Sequence, residues 1–188
     1  MNTQKTLKQA RDEIDCEDDL QAWMERGMES NGWTVLREVK ARNSNYRADI
    51  VAKHEDIGVV GIECKYVTGG SIVAGHASRQ IIEKYAGKKF FQWNVDVWGV
   101  CLFGREYRPK QMVYEKRQRE ARRQIATTKR ILNGLGIGYV TTDNDWLMMQ
   151  FLPSGRDVHI PLFGVDSDLN NERVDIERIR ELIDERRP

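Results

Sequence analysis

The stretch that decides how this chain is read is Arg47-Ala-Asp-Ile-Val-Ala-Lys-His-Glu-Asp-Ile-Gly-Val-Val-Gly-Ile-Glu-Cys-Lys-Tyr66. Two apolar runs, Asp49 to Lys53 and Val59 to Tyr66, flank a polar turn, His54 to Gly58, which is the pattern of a β-hairpin. A turn centred on Asp56 sets Asp49 opposite Glu63. Because side chains alternate along a strand, Glu63 and Lys65 then share the face of Asp49. Ile50, Ala52, Val60, Ile62 and Cys64 form the other, apolar face. Two carboxylates opposed across a strand pair repel. A hard divalent cation such as Mg²⁺ would remove that repulsion, since it takes oxygen ligands. Lys65 adds a positive charge where an attacking water or a phosphate would sit.

An Asp at a strand start, a short hairpin and then Glu63-Cys64-Lys65 resemble the core of the PD-(D/E)xK nuclease superfamily. Of its branches, the Mrr-like restriction endonucleases are the most similar, followed by the archaeal Holliday-junction resolvases. The resemblance spans about residues 17 to 142, and its specific part is the Asp-Glu-Lys triad. The superfamily often has Pro before the first acid; here Ala48 stands in that place. The resemblance implies an α/β fold with a restriction-endonuclease-like core. That core is a mixed central sheet flanked by helices, here with a C-terminal β pair and helix. It also implies a DNA endonuclease using Mg²⁺, for which Mn²⁺ may substitute, and products with a 5′-phosphate. Asp49 and Glu63 would hold metal with the Cys64 carbonyl as a further ligand, and Lys65 would position or help deprotonate the water. Relatives place a further acid on the first helix, for which Glu17 is the candidate among Glu17, Asp18 and Asp19. Relatives also carry a Gln or Lys on the second helix, which points to Gln80.

Ordinary readings stand beside these. An acid-x-Lys triplet is common in so charged a chain. Glu38-Val39-Lys40 is another, and it is read as a decoy because no Asp-bearing strand precedes it. Acids in a first helical turn stabilise the helix dipole without any metal. His54 at the hairpin tip, His76 and His159 have no assigned role. Tyr107, Trp146 and the other aromatics are read as core residues rather than base-stacking groups. A non-catalytic DNA-binding module with a vestigial site is the rival function, and an RNA-processing nuclease is a third.

Composition fits one domain of 188 residues, with a core at about 15–142 and an appendage at about 143–188. Hydrophobic residues make up 40% of the chain and charged residues 31%. No apolar run approaches the roughly 20 residues of a membrane span. The start, Met1-Asn-Thr-Gln-Lys-Thr6, lacks an apolar signal core, so a cytoplasmic location and no membrane partner are expected. Cys16, Cys64 and Cys101 lack metal-type spacing, and the last two are expected as reduced core residues. No small-molecule cofactor is implied.

Net charge is +1, but residues 105–130 hold ten Lys/Arg against three Glu. Lys116, Arg119, Arg122 and Arg123 on a helix over 111–133 are therefore candidates for phosphate contact. So are Lys40, Arg42 and Arg47 in the loop before Asp49, and Arg79 and Lys84 on a helix over 75–87. The remaining expectations are helices over 15–30 and 172–185, strands over 33–39, 95–103 and 137–141, and a closing pair over 146–152 and 158–162. Gly69-Gly70-Ser71 breaks the chain. In the 15–30 helix Leu20, Trp23, Met24 and Met28 line one side, and in the 75–87 helix Ile81, Ile82, Tyr85 and Ala86 form the buried side. Tyr114, Ala121, Ile125, Thr128 and Leu132 form the apolar stripe of the long helix. A homodimer is expected, with the C-terminal helix or the Val158–Leu162 strand at its interface, because cutting two strands is easiest with two symmetry-related sites.

Overall fold

Strand β3 sets the architecture. The computed structural model describes residues 11–67, 73–104, 114–141, 147–151, 158–163 and 176–185. Gly69-Gly70-Ser71, Tyr107, Trp146 and Pro153-Ser154-Gly155 lie outside them. In β3 (Gly58–Tyr66) residues of both parities are buried, as expected of a central strand covered on two sides. It pairs antiparallel with β2 (Arg47–His54) and parallel with β6 (Val97–Phe103). Around it the sheet order is β1-β2-β3-β6-β7-β8-β9, with β1 at Thr34–Lys40, β7 at Gly138–Thr141, β8 at Leu147–Phe151 and β9 at Val158–Phe163. The β6–β7 pair is parallel; β1–β2, β7–β8 and β8–β9 are antiparallel. The fold is thus α/β with a mixed seven-stranded sheet, and β8 and β9 extend that sheet.

Helices cover both faces. On one side α1 (Glu17–Glu29) lays Leu20, Trp23, Met24 and Met28 on Ile50, Ala52, Val60, Ile62 and Cys64, the apolar face that alternation predicts. Each such fully buried side chain contributes about 1.5–3 kcal/mol relative to exposure. The C-terminal helix α4 (Ile176–Asp184) joins this layer, with Ile179 buried and Ile176 and Ile183 packed alongside. Arg180 pairs with Asp96 at 3.4 Å. The apolar face of α4 therefore covers its own sheet.

The second layer is α2 (Val73–Gln80), the π-helical turn Ile81–Tyr85 and α3 (Glu115–Gly134). It buries Ala77, Ile81, Tyr85 and Leu132 against Val51, Val100 and Tyr139. The predicted 75–87 helix is corrected here. Ala86 N–H donates to Ile81 C=O, a five-residue step, and the wider turn carries Ile82 outward to 49% exposure and exposes Ala86. Tyr114, expected in the α3 stripe, precedes the helix and is exposed, and Ile125 is half-buried. Before β6 lies a hairpin that sequence reading missed, β4 (Lys89–Phe90) with β5 (Trp93–Asn94). Gly61 is required by close packing: a Cβ there would lie 2.4 Å from the Trp98 ring. None of the described helices is long and apolar enough to cross a membrane.

Topology brings four chain segments to one end of the sheet. β2 runs against β3, so the start of β2 and the end of β3 meet there. α1 returns into β1 through a short turn, so its first residues lie at the same end. Because α3 carries the chain from the end of β6 back to the start of the parallel β7, its first turns lie there as well.

Candidate active site

At that end Asp49, Glu63, Lys65 and Glu17 converge. The β2–β3 ladder reaches Ile50–Ile62 as its last pair, and the next opposed residues are Asp49 and Glu63, in the register expected from a turn at Asp56. There the strands part, and the Asp49 side chain takes over the bonding: Oδ2 accepts from the Cys64 backbone N–H at 2.7 Å. Lys65 Nζ lies 2.7 Å from Glu63 Oε1, 3.3 Å from Glu17 Oε1 and 3.7 Å from Asp49 Oδ2. It donates to Glu17 and, at 2.8 Å, to the Cys64 carbonyl. Its approach to Glu63 is an ion pair outside hydrogen-bond geometry, so both Glu63 carboxylate oxygens are buried without a hydrogen-bond partner.

The electrostatics follow from burial. Asp49 is 8% exposed and Glu63 fully buried. Desolvation, then the facing Glu63, push Asp49 up to about 7, against the pull of Lys65 and the Cys64 N–H. Desolvation likewise holds Glu63 above the usual carboxylate range despite Lys65. Burial pulls Lys65 down, but the carboxylates of Glu63 and Asp49 outweigh it and hold the ammonium above its ordinary range. Lys65 is therefore a cation at neutral pH here. In the metal-free chain that suits it to charge stabilisation and positioning.

The oxygen donor set fits a hard divalent cation. Two buried acids, one with both oxygens orphaned, stand opposed beside a backbone carbonyl. Cys64 can offer only that carbonyl. Its thiol is buried 3.6 Å from Met24 Sδ, and burial pushes it far above its ordinary value. Glu17 is kept available because Arg37 engages its neighbours on α1, pairing with Asp18 and, at 3.4 Å, with Glu25. An exposed trio, Asp15, Cys16 and Asp19, also clusters near the start of α1. Its bonds are those of a helix cap, with Asp19 N–H on Cys16 Sγ.

Gln80 reaches the border of the site through Tyr85: Gln80 Nε2 donates to Tyr85 Oη at 2.5 Å, and Tyr85 Oη donates to the Arg47 carbonyl at 2.6 Å. Burial and the Glu63 carboxylate hold the Tyr85 phenol above its ordinary range. Tyr85 was expected only as a core residue. Its position four residues before Lys89 in an apolar pattern carried no polar signal.

Glu38 was also missed. Arg37–Ile50 and Val39–Ala48 bracket it in the β1–β2 ladder, so it stands opposite Asp49. The acid facing the supposed decoy lies on the following strand, not a preceding one. Glu38 takes φ 49 and accepts from Gln21 Nε2 at 3.3 Å, which turns it toward α1.

Arg47 is exposed; Lys40 and Arg42 border a shallow open hollow along 40–45. Arg79 is exposed and paired with Glu83 at 2.7 Å. Lys84 lies over the Tyr46 ring at 5.8 Å. Lys116, Arg119, Arg122 and Arg123 are exposed on the first turns of α3, at the site's end of the sheet. His54 packs 5.2 Å from the Trp33 ring, away from the site, His76 is exposed and His159 half-buried.

No protein-family model, no curated protein and no solved structure matches this chain.

Proposed function

We propose that this chain is a metal-dependent endonuclease that hydrolyses phosphodiester bonds in DNA, built on a restriction-endonuclease-like core of the PD-(D/E)xK type. The observation that carries the reading is Glu63: a fully buried carboxylate opposed by Asp49 and met at 2.7 Å by the Lys65 ammonium. Two desolvated acids destabilise each other, and the one ammonium leaves both raised above the usual carboxylate range. The sheet order supports the reading too, since an antiparallel β1-β2-β3 unit is followed by parallel β6 and β7 with helices on both faces.

Asp49, Glu63 and the Cys64 carbonyl would hold Mg²⁺, with Glu17 at the open side. When bound, such an ion acts as a Lewis acid toward the scissile phosphate and acidifies water. The chain's own groups do the rest. Lys65, held as an ammonium, orients the attacking water and offsets the negative charge that builds on the phosphoryl oxygens. Glu17 and Glu63 hold that ammonium in place. Gln80 and Tyr85 fix the backbone of Arg47 just before Asp49. The attacking water gives up a proton to bulk water as its oxygen bonds to phosphorus, the P–O3′ bond breaks, and the leaving 3′ oxygen takes a proton from bulk water. Lys40, Arg42, Arg47, Arg79, Lys84 and the first turns of α3 would face the phosphate backbone.

The test is cleavage of linear, nicked, branched and methylated DNA with Mg²⁺ or Mn²⁺. Asp49→Asn, Glu63→Gln and Lys65→Ala should each abolish it in folded protein. Wild-type rates in any one of them, or no metal-dependent cleavage by the parent chain, would reject the assignment.

A further inference from the structure

Beside the site the surface carries a feature that phosphodiester chemistry does not use. Loop 41–46 and the β4–β5 hairpin are tied together: Arg42 N–H donates to Lys89 C=O at 2.7 Å, and Ala41 forms a β-bridge with Phe90. Two aromatic rings stand out of this unit, Tyr46 at 43% and Phe91 at 59% exposure. The ammonium groups of Lys84 and Lys88 lie 5.8 and 5.7 Å from the Tyr46 ring centre. Phe91 meets Trp93 edge-on at 6.0 Å. Residues 40–47 and 84–94 contain six Lys/Arg and no acid.

Phe91 is doubly unfavourable for folding. It occupies the first central position of a two-residue hairpin loop with φ 55, a position that glycine normally fills, and it holds an apolar ring in water. Strain and exposure at one side chain point to a contact made outside the folded chain.

We propose that this unit binds single-stranded DNA, with unpaired bases stacking on Phe91 and Tyr46 and backbone phosphates against Lys84, Lys88, Lys89 and Arg42. Stacking needs an open base face, which a duplex hides, and the acid-free surround suits a polyanion. The position beside the site is direct: Tyr46 adjoins Arg47, whose carbonyl accepts from Tyr85, and Asp49 follows two residues on. The inference rests on the nuclease reading and deepens it. The substrate class becomes DNA with a single-stranded stretch next to the cleaved bond.

Binding is measured by fluorescence anisotropy with the full chain in EDTA, where metal-dependent cleavage does not interfere. The probes are a blunt DNA duplex, the same duplex with a single-stranded overhang, and the matching duplex with an RNA overhang. The DNA overhang should raise affinity about tenfold over the blunt end. Phe91→Gly removes the ring and relaxes the backbone, so it should fold at least as well and lose most of that gain. Tyr46→Leu should lose part of it, and Phe91→Trp should keep it. Equal affinity for blunt and overhang duplexes would overturn the proposal. So would a Phe91→Gly variant that still discriminates, or a clear preference for RNA. The two readings fail separately. If Mg²⁺ gives no cleavage but the Phe91-dependent preference persists, the nuclease assignment falls and the binding surface stands. If cleavage occurs without the preference, the surface falls.

Discussion

Replacing Asp49 by Asn should make the metal-free protein more stable while destroying its proposed activity. Asp49 is pushed from an ordinary 3.8 up to about 7 by burial and by Glu63. Ionising such a group in the folded state costs roughly 4 kcal/mol relative to the unfolded chain, as an upper figure. Asn is neutral and nearly isosteric, and its carbonyl can still accept the Cys64 N–H, bonded at 2.7 Å in the parent. That figure is already net of the charge in that bond and in the 3.7 Å contact to Lys65, and water penetration and side-chain relaxation around the buried acid reduce it to about 2–3 kcal/mol. A net gain of about 2–3 kcal/mol corresponds to roughly 5–10 °C in Tm for a chain of this size.

The pH dependence has a definite sign. A raised acid binds its proton more tightly when folded, so its penalty is absent below the unfolded value and complete above the folded one. The advantage of Asp49→Asn should therefore grow between about pH 4 and pH 7 and level off beyond. Thermal unfolding in EDTA at about pH 5 and about pH 8 measures it. A variant no more stable than the parent at the higher pH, or an advantage equal at both, would refute the electrostatic account. Adding Mg²⁺ should raise the Tm of the parent by more than that of the variant.

Lys65→Ala should abolish cleavage and also lower metal-free stability by about 3 kcal/mol, because Glu63 and Asp49 lose the cation between them; chemical denaturation at neutral pH checks it. Substituting Arg119, Arg122 and Arg123 together should reduce the salt dependence of DNA affinity by about one unit of slope per lost phosphate contact. An unchanged slope would return α3 to an ordinary solvated face. Gly61→Ala should destabilise the fold by about 1–3 kcal/mol in a denaturant titration, since the new Cβ would fall 2.4 Å from the Trp98 ring. Light scattering should give a dimer mass with DNA present, formed through α4 or the β9 strand; a persistent monomer would leave a nicking enzyme.

The hairpin and its triad were legible because strand alternation is a strict period of two. Once the turn is placed at Asp56, the faces of Ile50, Ile62, Asp49 and Glu63 follow. The stripe of α1 was legible for the analogous reason at helical spacing. What failed was departure from a regular period. The π-turn after Gln80 moved Ile82 and Ala86 outward, and nothing in the order of apolar residues marks an extra residue in a helical turn. The β4–β5 hairpin is too short for alternation to register, and it carries Phe91 where a glycine would have announced a turn. The acid opposite Glu38 was not legible because only the pairing of β1 with β2 reveals which residue it faces.

Several of these departures share one end of the sheet, while others, such as the orphaned Asn133 Oδ1 and the register shift between Leu147 and Met148, lie elsewhere. Glu38, Asn43 and Phe91 are the non-glycine residues with positive φ among the described residues, and they lie at the end of β1, in the loop after it, and on the hairpin bridged to that loop. The orphaned oxygens of Glu63 and the orphaned Gln21 Oε1, whose amide reaches Glu38, lie at this same end of the sheet. So does the raised Asp49. The interior of the sheet shows the opposite: alternation, packed apolar layers and regular ladders. A chain whose local and global preferences otherwise agree concentrates its exceptions where something besides folding selects the residues. Here they share two adjoining pieces of surface: a carboxylate pair that the one Lys65 ammonium leaves raised, and an aromatic pair held in solvent. On the proposed reading the first would hold a metal at a phosphodiester, and the second the unpaired strand leading to it.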